Sequence, residues 1–434
     1  MNSEPASSYD DRRQYEQLSR EAINLYQLKR FHALVEKILP HNRFYSEKFA
    51  SSSFPLENFE AFTHLPFTYK ENLLSNTHSE GENYAANLTY PIERYTRFHR
   101  TSGTRGRPLV VLDTDDDWLW WLEAWQYVLD SAEIGPEDRA LMAFSFGPFV
   151  GFWSAHEALL RRGALSIPAG GLSTLARLEL IRSSNATVLC ATPSYALHLA
   201  EVALAHQMDV CTFSIQRIIV AGEPGGSIPE IKNKIESVWN ARVVDHSGAS
   251  EIGPWGYADP NGSGLYINES EFIPEFFSLR TGKPAHEGEL SELVLTTLGR
   301  EGCPIIRYKT GDLVKPHWNR TSTNGKTNNF VFLEGGVLGR ADDMMIIRGV
   351  NIFPSSVEQI LRSFPELIEY RMTAFKEGHL DQLKIEIEDR LEQPERVAKE
   401  LQVRLGLKID VSLVPPNTLP RFELKGQRFI DERR

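Results

Sequence analysis

Apolar residues recur at near-helical spacing through the first sixty positions. Tyr26, Leu28, Phe31, Leu34, Ile38 and Leu39 share one face, and the segment 1–60 reads as helical. A second helix is expected over 117–132, where Trp118, Trp121 and Trp125 stand at i, i+3 and i+7. From about residue 110 onward, short apolar runs alternate with helices. The runs lie at 140–146, 187–191, 217–220 and 241–244, and each ends in glycine, proline, serine or threonine. Thr192-Pro193 stops one run, and a helix follows through Leu199. That alternation predicts a mostly parallel α/β sheet. In such sheets ligands sit beyond the carboxyl ends of the strands. The loops 145–151, 192–194, 221–226 and 246–254 are therefore expected to converge on one site.

The texture changes after residue 285. Segments 292–298, 305–308 and 330–333 read as strands, with the polar stretch 319–329 as a loop between antiparallel strands. From Gly339 a final segment has the size of a small domain. Its expected elements are a helix over 356–363, a strand over 384–387, a helix over 394–405 and a strand over 410–414.

Composition narrows the class. The 434 residues are 41% hydrophobic and 24% charged, with 30 glycines, which excludes a mainly disordered, collagen-like or disulfide-scaffold chain. No run approaches the length of a membrane span. The net charge is −11, a poor match to a nucleic-acid partner, which calls for basic surface. Acidic and basic residues nearly balance from Gly339 onward, so almost all the negative charge precedes it. Cys190, Cys211 and Cys303 are widely spaced and form no disulfide framework, and the first residues lack a secretory pattern. A reducing cytoplasm is the expected compartment.

Candidate chemistry is densest in Thr101-Ser102-Gly103-Thr104-Arg105-Gly106-Arg107-Pro108. Glycines let backbone amides aim at a phosphate, and hydroxyls add donors. It is not the loop of the common nucleotide hydrolases. Arg94, Arg97, Arg100, Arg105 and Arg107 make a local basic patch suited to a polyanion. An ordinary polar surface loop has the same composition.

Six further segments follow in order: Ala221-Gly222-Glu223-Pro224, Ser247-Gly248-Ala249-Ser250-Glu251, Tyr308-Lys309-Thr310-Gly311-Asp312-Leu313, Gly339-Arg340-Ala341-Asp342-Asp343, Arg348-Gly349-Val350-Asn351-Ile352-Phe353-Pro354 and Pro420-Arg421-Phe422-Glu423-Leu424-Lys425-Gly426. In this order and spacing the chain resembles the adenylate-forming superfamily of acyl-CoA synthetases, adenylation domains and luciferases. Its nearest likeness is to the phenylacetate–CoA ligase family. The likeness runs from about residue 25 to the end.

The resemblance implies an α/β fold. A large N-terminal domain, residues 1–338, would hold mostly parallel sheets flanked by helices and a β-barrel-like subdomain. A small, mobile α+β C-terminal domain, residues 339–434, would follow. The implied activity is AMP-forming ligation of a carboxylic acid to CoA. The acid attacks the α-phosphate of ATP, pyrophosphate leaves, and a thiol then displaces AMP. The alternatives are transfer of the acyl group to an amine or a protein thiol, or nucleotide binding without turnover. ATP, Mg²⁺ and CoA are the implied cofactors, and a homodimer is a family expectation.

By the same resemblance Thr101, Ser102, Gly103, Thr104 and Gly106 contact the pyrophosphate part of ATP, and Arg107 stands where the family usually has lysine. Glu251 matches a Mg²⁺-holding glutamate, although a helix N-terminal carboxylate would look the same. Asp312 and Arg340 match ribose contacts; a turn-capping aspartate is the other reading of Asp312. Gly222, Glu223 and Pro224 border adenine, with His246, Ser247 and Gly248 as the opposite wall. Ser247 replaces an aromatic that is common in the family, which removes a stacking partner. Asp342 matches the hinge, Gly349 a loop used in thioester formation, and Lys425 the lysine that stabilises charge at the α-phosphate. A lysine near a chain end is otherwise a surface charge.

Phe144, Phe146, Phe149 and Phe152, with Gly147 and Gly151, suit an apolar acid pocket or a core strand with the start of a helix. An aromatic or medium-sized apolar acid fits the pocket. Some relatives carry a zinc on Cys and His ligands. Residues 257–266 here hold neither, and Cys303 alone cannot close a four-ligand site, so no zinc is expected.

Overall fold

The computed structural model describes residues 7–74, 84–101, 108–144, 147–318, 327–343, 345–347, 350–377, 380–420 and 428–433. The helical start is four helices rather than one, because polar caps interrupt the apolar stripe. Ser8, Ser19, Asn42 and Asn58 each accept a hydrogen bond from a first-turn amide and open Tyr9–Glu16, Arg20–Ile38, Arg43–Lys48 and Phe59–Thr63.

The central sheet has nine strands. Five are parallel, in the order Arg242–Ala249, Arg217–Val220, Val188–Ala191, Arg139–Met142 and Leu165–Pro168. Arg217–Val220 falls on the expected run, and the other three expected strands overlap theirs. Beyond Arg242–Ala249 the sheet turns antiparallel through Gly253–Ala258, Gly264–Ile267, Phe332–Glu334 and Pro316–His317. The central strands Val188–Ala191, Arg217–Val220 and Arg139–Met142 are largely apolar and buried almost throughout, as strands covered on both faces must be, while the edge strand Leu165–Pro168 is partly exposed.

The tryptophan helix, Asp115–Ser131, begins at a Thr114 capping box. Its indoles find polar partners inside the core. Trp118 Nε1 donates to Glu157 at 2.7 Å, Trp120 Nε1 to Glu271 at 2.6 Å and Trp125 Nε1 to Ser154 at 2.8 Å.

A second, four-stranded antiparallel sheet comprises Phe272–Ser278, Ser291–Thr297, Tyr308–Val314 and Gly339–Arg340. The strand expected at 305–308 instead begins at Tyr308. Arg307 adopts a positive φ of 48°, which breaks the extended run, while Ile305 and Ile306 stay buried.

The C-terminal part has its own core of Met345, Ile347, Val357, Leu361, Ile385, Ile387 and Leu401, among others. Its sheet runs Asp410–Leu413, Leu380–Asp389, Leu367–Glu377 and Phe429–Asp431, with helices Pro354–Arg362 and Pro394–Leu405. The expected 394–405 helix matches the observed one.

Candidate functional site

The carboxyl ends of the parallel strands lie in register, so their loops share one edge. Val220 pairs with both Ala191 and Asp245. Contacts between the loops are direct. Glu223 Oε1 accepts from the Ser194 amide at 2.6 Å and so serves the first turn of helix Pro193–Ala205. Gly226 sits so close to Asp245 that a Cβ there would lie 2.4 Å from the carboxylate. The loop after Arg139–Met142 joins at another point, where the Arg100 amide donates to Pro148 O at 2.8 Å.

Arg100 ends the first strand of a hairpin, Arg97–Arg100 with Val110–Asp113. Thr101 closes it: its amide donates to Leu109 O at 2.9 Å and its hydroxyl accepts from Leu109 N at 3.0 Å. The hydroxyl-glycine motif falls, in sequence, between the two strands of this hairpin. Ser102, Gly103, Thr104, Gly106 and Arg107 themselves lie outside the described residues, as do Phe146, Gly349 and Lys425.

Glu251 and the ribose-contact candidates come together across the two sheets. The Tyr308 hydroxyl donates to Glu251 Oε1 at 3.1 Å. Tyr308 opens the strand that carries Asp312, and Asp312 pairs in register with Arg340. Arg340 Nη1 lies 3.0 Å from Asp312 Oδ1, and its Nη2 lies 3.1 Å from Asp342 Oδ2. Gly311 makes room for this, with φ +75° and a Cβ position only 2.7 Å from the Arg340 guanidinium. Burial raises the Tyr308 phenol well above its ordinary value, and the nearby Glu251 charge raises it further, so the hydroxyl stays a donor.

Ser247 and His246 point to opposite faces of their strand. The His246 ring packs on Trp125 at 4.3 Å between centroids, and its Nδ1 lies 2.7 Å from Gly256 O. Burial lowers its pKa to about 4, so it is neutral in the core. Ser247 is half-buried opposite Gly256, which presents no side chain. A Cβ on Gly248 would lie 2.9 Å from Gly253 O and 3.2 Å from Pro254 Cα. In the acid-pocket segment Phe144 is buried and Phe149 half-buried, just before helix Val150–Arg162. The Gly147 carbonyl accepts from Trp153 Nε1 at 3.0 Å.

Three residues here were not assigned from the sequence. Asp245 is buried midway along its strand, where the parallel pairing ends, bound to Ser227 Oγ at 2.5 Å and 3.1 Å from the Cβ position of Gly336. Burial raises its pKa to about 6. Asp113 and Arg300 form a fully buried pair whose Arg300 Nη1 reaches Glu251 O at 2.7 Å. Burial pushes the Asp113 carboxyl up, but Arg300 and His99 together hold it below its ordinary value. An isolated arginine in Leu298-Gly299-Arg300-Glu301 carries no signal of burial.

The chain is 32% identical over 409 residues to the phenylacetate–coenzyme A ligase of Escherichia coli strain K12, covering 90% of each. The chain belongs to the phenylacetate–CoA ligase family. Residues 349–433 also match the family of AMP-binding enzyme C-terminal domains. Crystal structures of 2-hydroxyisobutyryl-CoA ligase share the fold over the full chain. The postadenylation state with an acyl-AMP gives a TM-score of 0.89 at 25% identity, covering 100% of this chain and 94% of that one. The thioester-forming state with CoA gives 0.73 at 26% identity over the same shares. Coverage is unchanged between the two, so the chain is more similar in structure to the postadenylation state than to the thioester-forming one. Like its family, the chain is an AMP-forming acid–CoA ligase, which makes an acyl-adenylate from an acid and ATP and passes the acyl group to CoA. Among the described residues no helix is long and apolar enough to cross a membrane.

Proposed function

We propose that this ligase activates an aromatic or medium-sized apolar carboxylic acid, with phenylacetate-like acids as the leading class. The supporting observation is the Glu251–Tyr308 and Asp312–Arg340 constellation, together with the aromatic residues Phe144 and Phe149 that follow a parallel strand. The name of the Escherichia coli relative agrees with that class.

In this reading an oxygen of the acid attacks the α-phosphorus of ATP. The bond to the β-phosphate breaks, and pyrophosphate leaves. The sulfur of CoA then attacks the acyl carbon, the thiol proton passes to solvent, and AMP departs. Thr101, Ser102, Gly103, Thr104, Gly106 and Arg107 cradle the departing phosphates. Asp312 and Arg340 hold the ribose hydroxyls: a carboxylate accepts from both, and the guanidinium fixes the carboxylate. Gly222, Glu223 and Pro224 face adenine from one side, with Ser247 and Gly248 on the other. Lys425 brings a cation to the α-phosphate.

Glu251 fits a Mg²⁺. Tyr308 occupies its Oε1, while Oε2 has no hydrogen bond among the described residues and is left for a hard cation. Among the described residues no group of three His, Cys, Asp or Glu side chains could hold a metal. That suits a cation shared with phosphate oxygens, which takes only one or two carboxylates. Bound there, Mg²⁺ would neutralise phosphate charge.

The chain divides in this reading at Gly339 into a large nucleotide-binding domain and a small domain turning at Asp342. The fall in likeness between the two ligase states supports such a turn. Screening acids by pyrophosphate release, then by thioester formed with CoA, tests the proposal. It fails if no aromatic or medium-sized apolar acid elicits either signal while a small polar or long-chain acid does.

A further inference from the structure

Behind Glu251 lies a charged network that none of these roles uses. Arg300 and Asp113 both have fully buried side chains. Arg300 Nε and Nη2 reach Asp113 Oδ1 at 2.8 and 2.6 Å, and Trp121 Nε1 donates to the same oxygen at 3.2 Å. The remaining arm of the fork, Nη1, donates to Glu251 O at 2.7 Å and Ser250 O at 3.3 Å. One guanidinium thus joins two parts of the site. Asp113 ends the hairpin strand Val110–Asp113, whose partner strand leads into Thr101. The Glu251 carbonyl belongs to the residue read as the cation ligand.

The arginine is itself locked from behind. The amides of Glu301 and Gly302 donate to Asp117 Oδ1 at 2.7 and 3.0 Å, and Asp117 belongs to the capping box of the tryptophan helix. A buried ion pair is seldom the most stabilising choice for a core. Its geometry here is what a point charge cannot copy: Nε donates to a carboxylate oxygen that Nη2 approaches as an ion pair, while Nη1 donates to carbonyls, all from one rigid plane.

We propose that Arg300 is a positioning residue, fixing the Glu251 backbone against the Thr101 hairpin so that cation and phosphate contacts are preorganised for ATP. This rests on the reading of Glu251 as the Mg²⁺ ligand. Arg300→Lys keeps the charge beside Asp113 but cannot span to the Glu251 carbonyl. Asp113→Asn keeps the guanidinium and loosens its anchor.

The test titrates ATP calorimetrically into the full-length chain at stepped Mg²⁺ concentrations, with thermal melts and the KM for the acid measured in parallel. Both variants are expected to raise the Mg²⁺ needed for half-maximal ATP binding, by roughly tenfold for Arg300→Lys and less for Asp113→Asn. The KM for the acid should stay within about twofold, because this contact faces the phosphates. A purely structural pair would lower the melting temperature and leave the Mg²⁺ dependence unmoved, which overturns the proposal. Glu251→Gln separates the two readings. If it shifts the Mg²⁺ curve while the network variants do not, the positioning role fails alone. If Glu251→Gln also leaves the curve unmoved, the Glu251 assignment fails. Should Arg300→Lys not fold, Asp113→Asn carries the decision.

Discussion

The hydroxyl of Tyr308 donates to Oε1 of Glu251 at 3.1 Å, joining two motifs 57 residues apart in the chain. The bond crosses from the central sheet to the antiparallel sheet. Tyr308 is buried, so its ring is fixed by packing and its hydroxyl has one direction to point. The carboxylate is thereby held in one rotamer before any nucleotide arrives.

Tyr308→Phe removes that hydrogen bond and keeps the ring. Hydrogen bonds to charged groups contribute about 1.5–3 kcal/mol. ATP binding in the presence of Mg²⁺ should therefore weaken about tenfold, with the melting temperature nearly unchanged. Calorimetric titration of ATP checks this, and equal affinities in parent and variant would sink it.

Glu251→Gln tests the cation directly. Glutamine keeps the acceptor for Tyr308 but removes the charge that a hard dication prefers. Initial rates of pyrophosphate release against Mg²⁺, at saturating ATP, should shift to higher Mg²⁺. Glu251 lies in the turn between strands Arg242–Ala249 and Gly253–Ala258 and not at a helix end, so a merely structural role would rest on its bond with Tyr308. An unchanged Mg²⁺ curve with a lowered melting temperature would then remove it from the site.

Much of the frame was legible from periodicity. Apolar runs and their stops located four of the five parallel strands but not the short edge strand Leu165–Pro168, and Pro394 at a first helical turn marked its helix. The loops of the site followed from the strand ends. Arg300 and Asp113 were not legible, because nothing local distinguishes a buried arginine from a solvated one. Only the approach of segments about 187 residues apart gives the pair its meaning. Strand 305–308 was misread for a related reason. Ile306 is apolar because it shares the core of the N-terminal helices, and Ile305 because it packs into the main core, although neither belongs to the strand. His246 adjoins the motif in sequence, yet strand alternation turns its ring inward onto Trp125.

Lys425→Ala should slow adenylation by about 10²–10³, the usual effect of losing one electrostatic donor. Thioester formation from supplied acyl-AMP and CoA should be spared if, as proposed, the small domain turns at Asp342 between the two steps. Equal damage to both half-reactions would contradict a turn at Asp342.

Glu16 gives a pH prediction away from the site. It is buried, with Oε1 accepting from the Tyr257 hydroxyl at 2.5 Å and Oε2 lying 2.6 Å from Arg13. Burial outweighs both partners and raises its pKa from 4.5 to about 7. The folded value is the higher one. The unfolded chain therefore sheds the proton first, and stability is lost as pH rises from about 4.5 to about 7. Glu16→Gln keeps the acceptor for Tyr257 and does not titrate. Its melting temperature should gain on the parent between pH 5 and pH 8, by the equivalent of about 3 kcal/mol at most. A deficit that stays constant with pH would mean that the Arg13 pair dominates.

Ser247 offers a change expected to improve binding. It is half-buried on the face opposite the His246 ring, and its partner across the ladder is Gly256. A Cβ on Gly256 would lie 3.2 Å from that of Ser247, so the absent side chain leaves lateral room for a larger neighbour. The family motif commonly has an aromatic here, and a ring at this point would lie flat against adenine. Aromatic stacking contributes about 0.5–1.5 kcal/mol beyond burial, or roughly two- to twelvefold in affinity. Ser247→Tyr should therefore lower the dissociation constants of ATP and AMP by a few-fold. It should leave the KM for the acid unchanged, because the Phe144–Phe149 segment follows a different strand. A pyrophosphate titration serves as the control, since it lacks the base and should show no gain. Equal tightening for pyrophosphate would mean that the ring acts on the whole site and not on adenine. Weaker ATP binding with an intact melt would mean that this site holds its base without stacking on that wall.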